Sequence, residues 1–169
     1  MTFEIGEKVV YPNQGVGTIE NISARSFGTQ FEKFYLLRLV YTSMTVMVPF
    51  SNVGNIGLRK ITKTTEINRV LNYLATGECT NCSDWKNRFR VNSDKMQSGN
   101  LLQIAEVLKG LLILQADKPL SFREKKMLER ARHMLVSELS IAKGIVQAEA
   151  TATLQKTLAK AHLVLPEAA

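Results

Sequence analysis

Two periodicities divide this chain, and the switch between them falls near residue 60. Before it, short apolar runs with strand character are separated by turn residues, the signature of β structure. Lys8-Val9-Val10-Tyr11 leads into the turn Pro12-Asn13-Gln14-Gly15, and Val16-Gly17-Thr18-Ile19 follows. Phe34-Tyr35-Leu36-Leu37-Arg38-Leu39 and Met44-Thr45-Val46-Met47-Val48 predict two further strands, being rich in aromatic and β-branched residues. Gly28 and Thr42-Ser43 supply turns between them. Several short strands with little helix suggest a small, strongly bent sheet or an SH3-like barrel. Modules of that kind offer an edge strand or a groove to a partner and seldom house catalysis.

After the switch the spacing is helical. Ile67, Val70, Leu71 and Leu74 fall at i, i+3, i+4 and i+7, and Gly77 is a stop signal. A second helix is expected to run from an Asp84 cap, through Trp85, toward Gly99. Asn100 can cap a third, with Gln103 at the capping-box position and Leu101, Ile104, Ala105, Leu108, Leu111 and Leu112 as its apolar side. Asp117-Lys118-Pro119 breaks it. Ser121-Phe122-Arg123-Glu124 is a full capping box, and it opens a helix whose Met127, Leu128, Ala131, Leu135 and Leu139 should face inward. Gly144 can kink or end that helix. The chain then runs on as a weaker Ala/Thr/Leu helix toward Pro166, and residues 145–169 read as a polar tail that could be partly mobile. The resulting fold class is α+β: a β module over residues 1–60 followed by an all-α domain over 61–169.

Composition adds limits. With 45% hydrophobic and 22% charged residues, the 169-residue chain suits a folded protein with a real core. No apolar run approaches the ~20 residues needed to span a bilayer. The polar start Met1-Thr2-Phe3-Glu4 is not a secretory signal, so the chain reads as cytoplasmic. Two cysteines cannot form a disulfide framework, which agrees with a reducing compartment.

The net charge of +7 is unevenly spread. Residues 1–60 hold a surplus of two positive charges, residues 61–135 a surplus of five, and residues 136–169 none. A surplus of that size favours a polyanionic partner by long-range attraction, without identifying one. It surrounds the only tryptophan, in Asp84-Trp85-Lys86-Asn87-Arg88-Phe89-Arg90. Trp85 would occupy the first turn of its helix, with Phe89 as its apolar neighbour at i+4 and Lys86, Arg88 and Arg90 around the other faces. A flat ring among cations suits stacking on, or wedging beside, a nucleic-acid base while phosphates are neutralised. A lone Trp is more often a core anchor, and helical Lys and Arg are more often merely solvated, so this segment alone admits both readings.

Catalytic motifs are missing. There is no Walker-type loop, no Gly-x-Gly-x-x-Gly, no His-Glu-x-x-His, and no plausible Ser/His/Asp set with only two histidines. Gly15-Val16-Gly17 has no following helix to hold a phosphate. Cys79-Thr80-Asn81-Cys82 could be half of a zinc site or a redox pair. Zinc would need two more ligands, and only His133 and His162 are spare, on helices expected to be far apart. A redox role would need a βαβ context that is absent. Two buried or idle thiols are expected instead, with no metal and no cofactor.

Taken together, these residues resemble the CarD-like (CdnL-type) bacterial transcription regulators. The N-terminal match is Phe3, Gly6, Val9-Val10-Tyr11-Pro12, Gly15, Gly17, Ile19 and Val46-Met47-Val48-Pro49. Transcription-repair coupling factors carry a similar module. The C-terminal match is Trp85, Arg88-Phe89-Arg90, Gly99, Ala105-Glu106-Val107, Ser121, Glu124-Lys125-Lys126-Met127-Leu128, Ala131-Arg132, Leu135 and Glu138-Leu139. The resemblance covers about residues 1–143, in order and at matching spacing.

What it implies is a protein that binds RNA polymerase and promoter DNA together and performs no chemistry. A Tudor/SH3-like module would grip the polymerase β subunit through the position of Arg25 and that of Met47, where relatives often carry a second arginine. The helical domain would lie on promoter DNA at the upstream edge of the melted bubble. Trp85 would wedge into the minor groove there, with Lys86, Arg88, Arg90 and Lys125 near the backbone. Such contacts would be largely sequence-independent, made by a monomer without membrane contact and brought to the nucleoid by polymerase. Met47 implies either a weaker polymerase contact or one shifted toward apolar packing. A rival reading stays open: an adaptor whose helices bind a second protein, with Trp85 as its anchor. Binding to DNA should fall steeply with added salt, and a Trp-centred protein contact should not.

Overall fold

The computed structural model describes residues 2–78 and 85–166, with the side chains of Phe27 and Trp85 left out. The chain divides into two compact units, Met1–Ile61 and Thr62–Ala169.

The first unit is an antiparallel five-stranded sheet in the order β4-β3-β2-β1-β5. Its strands are β1 (Lys8–Tyr11), β2 (Gly15–Phe27), β3 (Gln30–Leu39), β4 (Thr45–Pro49) and β5 (Arg59–Lys60), with a short helix α1 (Val53–Ile56) before β5. One face is the core, made by Phe3, Val9, Ile19, Tyr35, Leu37, Leu39, Val48, Val53 and Leu58. Tyr35 organises it. Its ring stacks on Phe50 at 4.2 Å and meets Phe3 edge-on at 5.6 Å, while its hydroxyl accepts from the Phe3 N–H at 3.0 Å. Gly17 sits where a Cβ would come within 2.7 Å of Leu37 Cδ1, so only glycine lets β2 lie against that side chain.

Strand β2 runs well past the expected Val16–Ile19. It continues through paired positions Ala24↔Lys33, Arg25↔Glu32 and Ser26↔Phe31, where residues on both strands are mostly exposed. Backbone pairing, not burial, makes this extension, so hydrophobic periodicity carries no trace of it.

The second unit holds α2 (Thr64–Thr76), α3 (Trp85–Gln97), α4 (Leu101–Asp117), α5 (Phe122–Lys143) and α6 (Gln147–Ala159). The expected stripes bury: Ile67, Val70 and Leu74 on α2, the named face of α4, and Leu128, Ala131, Leu135 and Leu139 on α5, with Met127 packed at the margin. Asn100 Oδ1 caps α4, accepting from the Leu102 and Gln103 N–H groups at 2.9 and 3.3 Å.

One expectation needs correcting. Residues 147–159 are not a loose tail: Ala150, Leu154 and Leu158 are fully buried, and Leu165 joins the same core. Their Ala/Thr/Leu composition reads as weak because the stripe is narrow, but α2 and α5 cover it. Gly77 stops α2 as expected, and does so in extended backbone (φ −68°) where glycine usually supplies a left-handed turn. Glycine is required there by close approach, since a Cβ would fall 2.3 Å from Tyr73 Cδ2.

Candidate nucleic-acid interface

The start of α3 is fastened to the start of α5. Among the described side chains of α3, Met96 alone is buried. Polar contacts add to its hold. Arg88 donates to Glu124 through Nε at 3.0 Å and Nη2 at 3.3 Å, a two-pronged pair that leaves the side chains 13% and 3% exposed. Ser121 Oγ accepts from the Glu124 N–H at 3.3 Å and lies 3.2 Å from Glu124 Oε1, so the helix cap and the ion pair share one carboxyl group. Beside this pair, the guanidinium of Arg123, the residue before Glu124, lies over the ring of Phe89, the residue after Arg88, at 4.4 Å. Farther along α3, Lys95 pairs with Glu106 of α4 at 2.8 Å.

Arg88 therefore differs from the solvent-facing cation expected of it. Its guanidinium turns inward because Glu124 is buried and an unpaired carboxylate there would be costly. Lys86, Arg90 and Lys125 are exposed as expected, and Arg90 Nη2 donates to Asn87 Oδ1 at 2.9 Å. Because Lys125 follows Glu124 directly, the Arg88–Glu124 pair brings it to the same end of the helical unit as Lys86. Trp85 opens α3 itself; Asp84, the expected cap, and the pair Cys79 and Cys82 lie outside the described residues.

Sequence reasoning missed several residues around this end. Glu124 reads only as a capping residue, and nothing in the pattern marks it as the partner of Arg88. Phe122 stands 70% exposed with Lys126 Nζ 4.6 Å above its ring. Lys109 is buried in the middle of an otherwise apolar helix face, where its Nζ donates to the carbonyls of Tyr73 at 2.9 Å and Gly77 at 2.6 Å. Among the described residues no cluster of three or more His, Cys, Asp and Glu side chains could hold a metal.

In the first unit, register places the two expected polymerase-contact positions on one face. Arg25 is opposite Glu32, Phe34 is opposite Pro49, and Leu36 is opposite Met47. Opposed residues share a face, as do residues two apart, so Arg25, Glu32, Leu36 and Met47 all lie on the side away from the core. Arg25 is exposed, Met47 is 37% exposed, and Leu36 is half-buried beside it. The position thus belongs to an apolar strip of Leu36, Met47 and Pro49 on strands β3 and β4. Strand β4 is also one edge of the sheet.

Residues 3–62 match the family model described as CarD-like/TRCF RID domain, and residues 69–155 match CarD, C-terminal domain. The chain is 34% identical over 145 residues to “Putative transcription factor YdeB” of Bacillus subtilis (strain 168), covering 86% of this chain and 95% of that protein. It also matches the solved structure “CdnLNt from Myxoccoccus xanthus” at 41% identity, over 36% of this chain and 86% of that one, with a TM-score of 0.31.

Proposed function

Because this chain belongs to the CarD-like family of transcription regulators, we propose that it binds the RNA polymerase β subunit and stabilises the promoter open complex without catalysing a reaction. The first unit would hold polymerase through the outer sheet face bearing Arg25 and Met47. Leu36 and Pro49 beside Met47 favour an apolar contact at that point over a weakened one. The free edge of β4 could add main-chain hydrogen bonds. The second unit would place Trp85 at the upstream edge of the melted bubble, with Lys86, Arg90 and Lys125 against phosphates. Arg88 would act through Glu124, since its charge is already engaged.

One observation carries this reading. The Arg88–Glu124 pair joins the helix start that bears Trp85 and Lys86 to the helix start that bears Lys125. An aromatic wedge is then supported by cations that neutralise phosphates without reading bases. A wedge is least costly where stacking is already disturbed, as at a bubble edge. Weak contacts of this sort act when polymerase holds the unit near its target, which raises its effective concentration. The outcome is stabilisation of one pre-existing state of the promoter complex.

The test is promoter footprinting and open-complex lifetime with core polymerase, comparing the parent with Trp85→Ala. The variant should keep polymerase binding and shorten the lifetime by about tenfold, the scale set by stacking contacts of ~1–3 kcal/mol. An unchanged lifetime would remove the wedge. Binding of the helical unit that is insensitive to salt would favour a protein partner for Trp85 instead.

A further inference from the structure

We propose that Lys109 and Glu124 are positioning residues that clamp the start of α3, and with it Trp85, from both sides along the chain. The inference deepens the function proposed above, on which its consequence for promoters rests. Gly77 lies eight residues before Trp85 and Arg88 three after it, and each is held by a buried ionisable side chain from another helix.

Lys109 secures the approach. It lies among Val107, Leu108, Leu111 and Leu112 on α4 and is 3% exposed, a setting in which a leucine would serve burial better. A lysine belongs in such a place only where its ammonium finds acceptors. It finds the carbonyls of Tyr73 and Gly77, the last groups of α2, and lies 5.2 Å from the Tyr73 ring centre. A cation at this negative end of the helix fixes where the chain leaves α2. Glu124 secures the far side by taking two donors of Arg88 and the Ser121 hydroxyl. Beyond these holds, Met96 is the one buried residue among the described side chains of α3. Among the described side chains in the first two turns of α3 none is fully buried, so the charged contacts contribute much of the restraint there. A wedge that had to be ordered on arrival would lose about 1–2 kcal/mol of backbone entropy per residue fixed, so fixing it beforehand has a direct effect on the complex.

The single tryptophan makes this measurable in the free full-length protein, without polymerase or DNA. The variants are Glu124→Gln and Lys109→Met, with Leu158→Ala in the α6 core as a control of general destabilisation. Acrylamide quenching of the Trp85 emission should roughly double in both clamp variants, as expected for local opening, and its anisotropy should fall. The control should leave both near the parent values at a temperature where all three variants retain their helical circular dichroism. Arg88→Lys keeps the charge but loses the two-pronged geometry, and should give an intermediate rise; it replaces Glu124→Gln if that variant does not fold. Quenching equal to the parent's in the clamp variants overturns the proposal, and so does an equal rise in the control. With polymerase and promoter, the clamp variants should shorten open-complex lifetime while pull-down of polymerase stays unchanged. If instead Trp85→Ala leaves that lifetime unaltered, the promoter role fails while the quenching result still decides the clamp.

Discussion

Glu138 of α5 takes both hydrogen-bond donors of Thr62, the backbone N–H at 2.8 Å and the hydroxyl through the same oxygen, Oε2. Thr62 is the first residue of the helical unit, and Glu138 is 2% exposed, so this clasp ties the beginning of the unit into its core. Glu138→Ala strands the Thr62 donors and should lower stability by about 1–3 kcal/mol, the usual result of removing the partner of a buried polar group. Thr62→Val keeps the backbone bond and should cost less. Denaturant unfolding followed by helical circular dichroism checks both, and a Glu138→Ala midpoint equal to the parent's would refute the clasp.

Charge reversals should sort the cations into two classes. Lys86→Glu, Arg90→Glu and Lys125→Glu change exposed side chains and should leave the fold intact. Each should weaken promoter DNA binding similarly across sequences and lower the salt slope by about one. Arg88→Glu instead sets a second carboxylate against buried Glu124, and should destabilise the helical unit by roughly 3–5 kcal/mol. Thermal melts and salt titrations of the four variants separate the classes. A stable Arg88→Glu protein with only a DNA defect would return Arg88 to the phosphate contacts.

His133 gives the helical unit a dependence on acid. Burial, and then the neighbouring Arg132 charge, hold its imidazole below the ordinary value of 6.5, against a smaller opposing effect of Glu129. Its Nε2 lies 3.2 Å from Ser137 Oγ. The folded state thus binds this proton less readily than the unfolded chain does. Stability from the neutral ring is complete above pH 6.5 and is lost as pH falls from there through the lower folded value. His133→Gln should flatten that part of the stability profile, measured by denaturant unfolding at a series of pH values. A parent and variant with parallel profiles would show that another group is responsible.

The legible and illegible parts of this molecule differ in kind. The apolar stripes of α2, α4 and α5, the Asn100 and Ser121 caps and the core strands follow from periodicity and capping chemistry, which are local. The outer half of the β2–β3 hairpin rests chiefly on backbone pairing, and α6 on neighbours that supply cover for a narrow stripe. At the candidate site, the residue types around Trp85 are visible in order along the chain. Their sorting is not: Arg88 and Arg90 look alike in sequence, and only a carboxyl group 36 residues away turns one of them inward. Lys109 is hidden for the same reason, since its acceptors at Tyr73 and Gly77 lie on another helix.

Arg25 and Met47 offer the sharpest test of how the two units divide the work. They share the outer sheet face, one as an exposed cation and the other at the margin of an apolar strip. Arg25→Glu in the full-length protein should reduce polymerase pull-down about tenfold or more, as reversal of an interfacial charge commonly does. Met47→Asp places a charge in the strip and should weaken the same contact. Neither residue belongs to the core around Tyr35, so both proteins should keep the parent's melting behaviour. If tethering is how weak DNA contacts become effective, open-complex lifetime should fall together with pull-down, while salt-sensitive binding of free DNA stays unchanged. The measurements are pull-down, lifetime and a DNA salt titration on each variant. Lost pull-down with a normal lifetime would show that this protein reaches the promoter without being held by polymerase.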